Sequence, residues 1–222
     1  GLGPEVLRAS NPGLIYCSIS GFGRDVNRAG YDLVLQGMGG IPSLTGEVDG
    51  EAAKCGASIA DLVSGQNAVQ GILAALIRRQ RTGVGALVDI PMIDGQVALL
   101  TYHASSLLNG DTVPTRLGNH HPSIHPYGAY RASDGSLNIA VGNDALFVRF
   151  CQAVGHPEWA ADDRFAKNAG RVAQRAVLDP MIEDALRGAT SQEWCDRLSK
   201  AGVPAGPINS VSEAVKLVDL VT

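Results

Sequence analysis

Apolar positions cluster in two ways along the first half of the chain, and the clusters predict alternating strands and helices. Mostly apolar runs at residues 14–23 and 86–92 predict buried strands. Elsewhere apolar residues recur every three to four positions, as on one face of a helix. The helices predicted in this way are residues 4–9, 30–41, 61–81 and 93–110. Strands that alternate with helices are typical of an α/β domain.

The pattern changes near Tyr127. The stretch GAYRASDGSLNIAVG predicts a β-hairpin that turns at Asp134-Gly135, and two helical segments follow it. Thr190 or Ser191, with Glu193, marks a further helix start. We therefore predict two domains, residues 1–126 and a smaller α+β domain over residues 127–222.

Composition excludes several classes of partner. The 222 residues carry a net charge of −4 without a Lys/Arg block, so we expect no nucleic acid. Glycine and charged residues interrupt every apolar run before it could span a bilayer, so we expect no membrane partner. The four cysteines are scattered without a CxxC pair, which is typical of reduced thiols in a cytoplasmic protein.

Common catalytic and ligand-binding motifs are absent. Neither GFG nor GMGG has the spacing of a phosphate-binding loop, and no GxSxG is present. The stretch GNHHPSIHP holds His120, His121 and His125, but this spacing on a proline-rich loop gives metal ligands no fixed geometry. We therefore predict no metal site and expect a polar loop that lies at the surface or lines a pocket.

Asp61, in the stretch CGASIADLVSG, is the candidate reactive group. A carboxylate at a helix start is often an N-cap that accepts backbone hydrogen bonds. It can also be a nucleophile, because the positive end of the helix dipole stabilises its negative charge and small neighbours leave room for a substrate. The residues alone leave both interpretations open.

The long run from AGYDLVLQGMGGIPSLTGEVDGEAAKCGASIADLVSG to GALVDIPMIDGQVALL closely resembles family III CoA-transferases of the carnitine-CoA and formyl-CoA transferase type. The segments LIYCSISGFG, RLGNHHPSIHPY and ADDRFAKNAGRV resemble the same family. The resemblance implies a Rossmann-like large domain, partly absent from this chain, and a smaller α+β domain. It also implies a homodimer of interlocked chains, with this chain as the middle portion of the family's chain.

The resemblance implies an enzyme that moves CoA from an acyl-CoA thioester to a small mono- or dicarboxylic acid. Coenzyme A is then a co-substrate and no metal is needed. Asp61 matches the catalytic aspartate, which forms a covalent aspartyl intermediate. The RLGN-HP segment favours a succinyl-CoA-type donor with a small dicarboxylate acceptor.

Other positions take their roles from the same resemblance. Tyr31, with Gly30 and Ala60, is assigned to CoA binding. Related 2-methylacyl-CoA racemases have a proton-carrying histidine in an AGHD segment, where this chain has AGYD. A tyrosine is a poor proton carrier near neutral pH, so Tyr31 disfavours a racemase or epimerase. A non-catalytic CoA-binding paralogue is the remaining alternative.

The histidine-rich loop falls where formyl- and oxalyl-handling members carry a run of glycines. That run is absent here, which makes oxalate a less favoured acceptor. Gly118, Asn119, His120 and His125 are the candidates for shaping the acyl pocket.

Overall fold

The computed structural model describes residues 1–110 and 112–219 and contains ten α-helices, two short 3-10 helices and five strands within them. The helices are α1 Pro4–Ser10, α2 Asp32–Met38, α3 Ile59–Thr82, α4 Met92–Leu99, α5 Thr101–Gly110, α6 Asp144–Ala153, α7 Asn168–Ala173, α8 Arg175–Leu186, α9 Ser191–Lys200 and α10 Val211–Asp219. The strands are β1 Tyr16–Ser20, β2 Leu87–Pro91, β3 Tyr127–Arg131, β4 Ser136–Ala140 and β5 Ala205–Pro207. The mixed α/β character predicted from the sequence is confirmed, and the chain separates into two units after Gly118.

In the first unit, β1 and β2 form a parallel pair, from Tyr16 opposite Leu87 to Ser20 opposite Pro91. The helix α3 connects them and packs on β2. Gly71 makes this packing possible, because a Cβ there would lie 2.5 Å from Cγ1 of Val88. The predicted burial of these strands is wrong, since neither holds a fully buried residue among its five.

The orientation of α3 differs from the one that its apolar pattern suggests. Its buried residues are Ala60, Ser64, Ala68 and Ala75, all of them small. Four of the larger apolar side chains are more than half exposed, whereas Ile72 and Leu76 are half-buried; the exposed four are Leu62, Val69, Leu73 and Ile77. Small residues let the helix backbone approach the sheet closely, and this approach leaves a broad apolar face uncovered within the first unit.

The helix predicted over residues 93–110 is two helices, α4 and α5. The chain changes direction at Thr101, which has a φ of 45°. No glycine or proline stands at this point, and the apolar pattern continues through it. The break therefore had no local signal in the sequence.

The second unit begins at Asn119 and contains the main hydrophobic core. Its sheet is antiparallel in the order β3-β4-β5, and β3 and β4 form the predicted hairpin. Thr190 is the N-cap of α9 and makes a capping box with Glu193, as the sequence predicted. The core packs on this sheet and comprises mainly residues of β4, α6, α8 and α9.

The boundary between the units lies eight residues before the one predicted at Tyr127. Residues 119–126 group with the second unit because hydrogen bonds tie them to it. The backbone N–H of His121 donates to the carbonyl of Tyr127, and that of Val141 donates to the carbonyl of Pro126. The change in sequence pattern coincides with the start of β3, whereas these hydrogen bonds join the eight residues before it to the second unit.

Candidate active site

Asp61 is the third residue of α3 and is not its N-cap. The helix begins at Ile59, and the N-cap Ser58 makes no side-chain cap hydrogen bond. Asp61 is exposed, and among the described residues its carboxylate has no hydrogen bond or ion pair. The capping interpretation is therefore wrong, and the carboxylate is available to a ligand.

Two polar side chains of α2 hold the segment that leads into Asp61. The carboxylate of Asp32 accepts a hydrogen bond of 2.9 Å from the backbone N–H of Ala60. Gln36, which is fully buried, accepts from the N–H of Cys55 at 2.8 Å and donates to the carbonyls of Cys55 and Ala57. Its side chain also donates to Asp32 at 2.8 Å. The start of α3 is thus fixed from a neighbouring helix.

An open depression of about 510 Å³ lies beside Asp61. Its lining residues are Asp61, Leu62, Gly65, Gln66, Val69 and Gln70. No atom would lie within 4 Å of a Cβ built on Gly65, so the space next to the carboxylate is clear. The surface is mostly apolar with one charged group, which suits an uncharged acyl or pantetheine chain next to a reactive carboxylate.

Gly30 and Tyr31 lie at the start of α2, next to the start of α3. The hydrogen bond from the N–H of Ala60 to the carboxylate of Asp32 connects the two helix starts. Tyr31 is the N-cap residue of α2 and is 76% exposed, so its ring is free to contact a ligand. Ala60 is fully buried, which leaves it a packing role under Asp61 in this unit. Gly30 allows a close backbone approach, since a Cβ there would lie 2.6 Å from Cα of Gly21.

The four predicted acyl-pocket residues divide between the two units. Gly118 closes the first unit, with a φ of 57° and the carboxylate of Glu47 beside it. Asn119 lines a cavity of about 440 Å³ in the second unit, together with Tyr127 and Gly128. His120 and His125 lie close together in that unit, with ring centroids 6.4 Å apart.

A third residue joins these histidines. Asp179, on α8, places Oδ1 3.4 Å from Nε2 of His125 and Oδ2 3.8 Å from Nε2 of His120. Burial lowers the pKa of His125 to about 3, with positive charge on Arg175 contributing, so its imidazole is neutral at physiological pH. Burial raises the pKa of Asp179 above its usual range.

Asp32, Gln36 and Asp179 are the residues that sequence reasoning missed. The residue Asp32 stands next to Tyr31 in AGYD, but its partner Ala60 lies 28 positions further along the chain. Asp179 is separated from the histidine-rich loop by more than fifty residues and lies in an ordinary amphipathic helix. Neither contact has a local sequence signal.

Comparison with known proteins identifies the group to which the chain is similar. The model of CoA-transferase family III matches residues 1–221. The succinate–glutarate CoA-transferase of Agrobacterium fabrum is 42% identical over 96% of this chain and 54% of its own length. The acetyl-CoA:oxalate CoA-transferase of Acetobacter aceti is 39% identical over 98% of this chain and 57% of its own length.

Solved structures agree with these sequence matches. A CAIB/BAIF family protein from Brucella suis superposes with a TM-score of 0.82 at 44% identity, over 97% of this chain and 58% of that protein. The Rv3272 protein of M. tuberculosis superposes with a TM-score of 0.86 at 29% identity, over 96% of this chain and 57% of its own. The chain spans about half the length of the curated relatives it matches.

Proposed function

Because the chain belongs to CoA-transferase family III, we propose that it contributes the nucleophile of an acyl-CoA transferase, and that this nucleophile is Asp61. The observation that carries the proposal is the exposed carboxylate in the first turn of α3, without a protein partner and beside an open depression. A carboxylate with no competing bonds can attack a carbonyl carbon, which is the first requirement of covalent catalysis.

The proposed reaction has four acyl-transfer steps. The Asp61 carboxylate attacks the donor thioester carbonyl, which releases CoA thiolate and leaves a mixed anhydride. The thiolate attacks the aspartyl carbonyl of this anhydride, which frees the donor acid and forms an aspartyl-CoA thioester. The acceptor carboxylate attacks that thioester and forms a second anhydride, and the released thiolate takes the acceptor acyl group. Asp61 returns as a carboxylate, so no cofactor or metal is consumed.

We propose a succinyl-CoA-type donor and a small dicarboxylate acceptor. This choice is supported by the name of the Agrobacterium relative, a succinate–glutarate CoA-transferase. Because the Acetobacter relative is an acetyl-CoA:oxalate CoA-transferase, oxalate is the alternative acceptor to test beside glutarate. Tyr31 and Gly30 are proposed to contact CoA beside Asp61. The residues proposed to shape the acyl pocket are Gly118, Asn119, His120 and His125.

A transfer assay tests the proposal. The full-length protein is given succinyl-CoA with glutarate, oxalate or carnitine, and the new thioester is measured. We expect glutaryl-CoA to form and Asp61→Asn to lower kcat by about 1,000-fold or more, as for a lost nucleophile. Asp94→Asn is the matched control, because Asp94 is also an exposed aspartate at the third position of a helix, α4. Equal activity of the two variants would contradict the proposal.

The racemase alternative predicts a different result. A racemase exchanges the α-hydrogen of a 2-methylacyl-CoA without any acceptor acid. Tyr31 at the start of α2 disfavours it, since the chain has no histidine at this position. Loss of deuterium from a 2-deuterated 2-methylacyl-CoA, without transfer to any acid, would support the racemase. CoA binding with neither reaction would support a non-catalytic paralogue.

We also propose that the protein acts as a homodimer with a Rossmann-like large domain, and that it works in the cytoplasm. The dimer is supported by the exposed apolar face of α3. The cytoplasmic location is supported by the four free cysteines, Cys17, Cys55, Cys151 and Cys195. Within the described residues, no helix has the length and apolarity to cross a membrane.

A further inference from the structure

We propose that His120, His125 and Asp179 form a binding site for a divalent transition-metal ion of the zinc type in the second unit. The site lies between the loop of residues 119–126 and α8. The proposal does not depend on the transferase reaction, in which no step uses a metal.

The distances match those of a metal-ligand set. One ligand atom from each side chain can be chosen so that all three lie within 4.8 Å of one another. The two nitrogen–oxygen distances are 3.4 and 3.8 Å. In a tetrahedral zinc site, with bonds near 2.0 Å, neighbouring ligand atoms lie about 3.3 Å apart. The two measured pairs, one to each oxygen of Asp179, lie within about 0.5 Å of this spacing.

Several buried polar atoms of this cluster have no hydrogen bond of good geometry among the described residues, although the hydroxyl of Tyr130 lies near Asp179. Neither ring nitrogen of the fully buried His125 has a hydrogen bond, and Oδ1 of Asp179 also has none. Buried polar groups in native proteins are nearly always paired, because an unpaired one loses its hydration without compensation. A metal ion bound by Nε2 of both histidines and by Oδ1 of Asp179 would give partners to two of these atoms, Nε2 of His125 and Oδ1 of Asp179.

The loop that carries the histidines has a fixed geometry. The N–H of His125 donates to the side chain of Asn168 at 3.1 Å, and the carbonyl of His125 accepts from the buried guanidinium of Arg171 at 2.8 Å. Arg175 donates to the carbonyl of His121 at 2.7 Å. Gly128 leaves room for the ring of His120, since a Cβ there would lie 2.9 Å from Nδ1. The sequence objection to a metal site, a loop without fixed geometry, therefore does not apply.

The donors select the kind of ion. Two imidazoles and one carboxylate suit zinc, cobalt or nickel better than magnesium or calcium, which prefer oxygen donors. His120 and Asp179 keep 29% and 21% of their side-chain surface exposed, so solvent reaches both side chains. Arg175, whose charge acts on both His125 and Asp179, opposes a cation. We therefore expect weaker binding than in a four-ligand structural zinc site.

Metal titration of the full-length, chelator-treated protein tests the proposal. Zn²⁺ is added in a calorimeter and in thermal unfolding, and Co²⁺ is followed by its visible absorption. We expect one Zn²⁺ per chain, a rise in Tm of about 4 °C or more at saturation, and a cobalt spectrum typical of mixed nitrogen and oxygen ligands. His120→Gln and Asp179→Asn should each weaken Zn²⁺ binding by about 100-fold or more.

His156→Gln is the matched control, because His156 lies in the same unit and pairs with Glu158 outside the cluster. It should bind Zn²⁺ like the unaltered protein. Two site variants are used so that a fold defect in one, seen by circular dichroism, leaves the other to decide. No Zn²⁺ binding by the unaltered protein would overturn the proposal, as would equal binding in all variants, for instance through the cysteines.

Discussion

At the scale of single residues, the side chains that fix the backbone around Asp61 differ from the residues to which the family resemblance assigns a role. The AGYD segment directs attention to Tyr31, yet the structure gives Asp32 the contact that fixes the start of α3. Gln36, one turn further on, closes the same network from a fully buried position. The family resemblance points to Asp61 as the reactive group, but the sequence cannot indicate which distant side chain holds the backbone beside it, because this depends on tertiary contacts.

Asp144 gives a residue-scale prediction with a defined pH dependence. Its carboxylate accepts from Arg171 at 2.9 Å, and this bond holds the pKa of Asp144 below its usual range. Since the folded pKa is depressed, the stabilisation is complete above the unfolded pKa and is lost as pH falls through the folded pKa. We expect Asp144→Asn to lower the free energy of unfolding at pH 7 by about 1.5 kcal/mol, a value limited by the exposure of the carboxylate.

Urea denaturation of both proteins from pH 7 to pH 3 measures this effect. The difference between the two should narrow below about pH 5, where the unfolded aspartate begins to protonate. Asp184→Asn is the control, because Asp184 pairs with Arg187 at an exposed site and its loss should change stability by less than about 0.5 kcal/mol. A difference that is constant over the whole pH range would contradict the account.

At the scale of elements, the sequence predicted most helices and strands but not which face of a helix is buried. The bounds of α1, α3 and the β3–β4 hairpin lie within a few residues of the predicted ones. The apolar pattern of α3 pointed to its large residues as the packing face, whereas its fully buried residues are all small and Gly71 lies against Val88 of β2. Periodicity gives the element type, and close backbone packing decides the face. The sequence did not predict the break at Thr101. This residue has a positive φ, a conformation that threonine rarely adopts and that its residue type does not indicate.

A pair of glycine substitutions on α3 tests this packing. Gly71→Ala would place a Cβ 2.5 Å from Val88, so we expect a loss of about 1–3 kcal/mol in the free energy of unfolding. Gly65→Ala is the matched control, because nothing lies within 4 Å of its added Cβ. It should raise stability by up to about 1 kcal/mol through helix propensity. Similar effects of the two variants in urea denaturation would show that α3 does not pack through its small residues.

At the scale of the whole molecule, we expect the exposed apolar face of α3 to bind another protein surface. Leu73 and Ile77, outside the depression beside Asp61, are each more than half exposed, and exposed apolar side chains grouped on one helix face mark an interface. The family resemblance supplies the proposed partner, a second copy of the chain. Sequence alone could not identify this face as exposed, because its pattern is the same as that of a helix that packs in a core.

A charged substitution on this face tests the dimer. We expect the full-length protein to have the mass of a dimer by light scattering, and Leu73→Glu to shift it towards the monomer, because a carboxylate buried in an apolar interface is costly. Val148→Glu is the control, on a 42% exposed residue of α6. A monomeric unaltered protein would contradict the proposal, and so would a dimer insensitive to Leu73→Glu.

Asp61 is proposed to form a covalent bond to acyl and CoA groups, and trapping with hydroxylamine detects such a bond. Tryptic cleavage after Lys54 and Arg78 releases residues 55–78, in which Asp61 is the only acidic side chain. The full-length protein is mixed with succinyl-CoA, treated with hydroxylamine and alkylated at Cys55 before mass spectrometry. The account predicts a hydroxamate at Asp61 that forms only with the thioester and is absent from Asp61→Asn. An unmodified Asp61 in a protein that turns over succinyl-CoA and glutarate would contradict it.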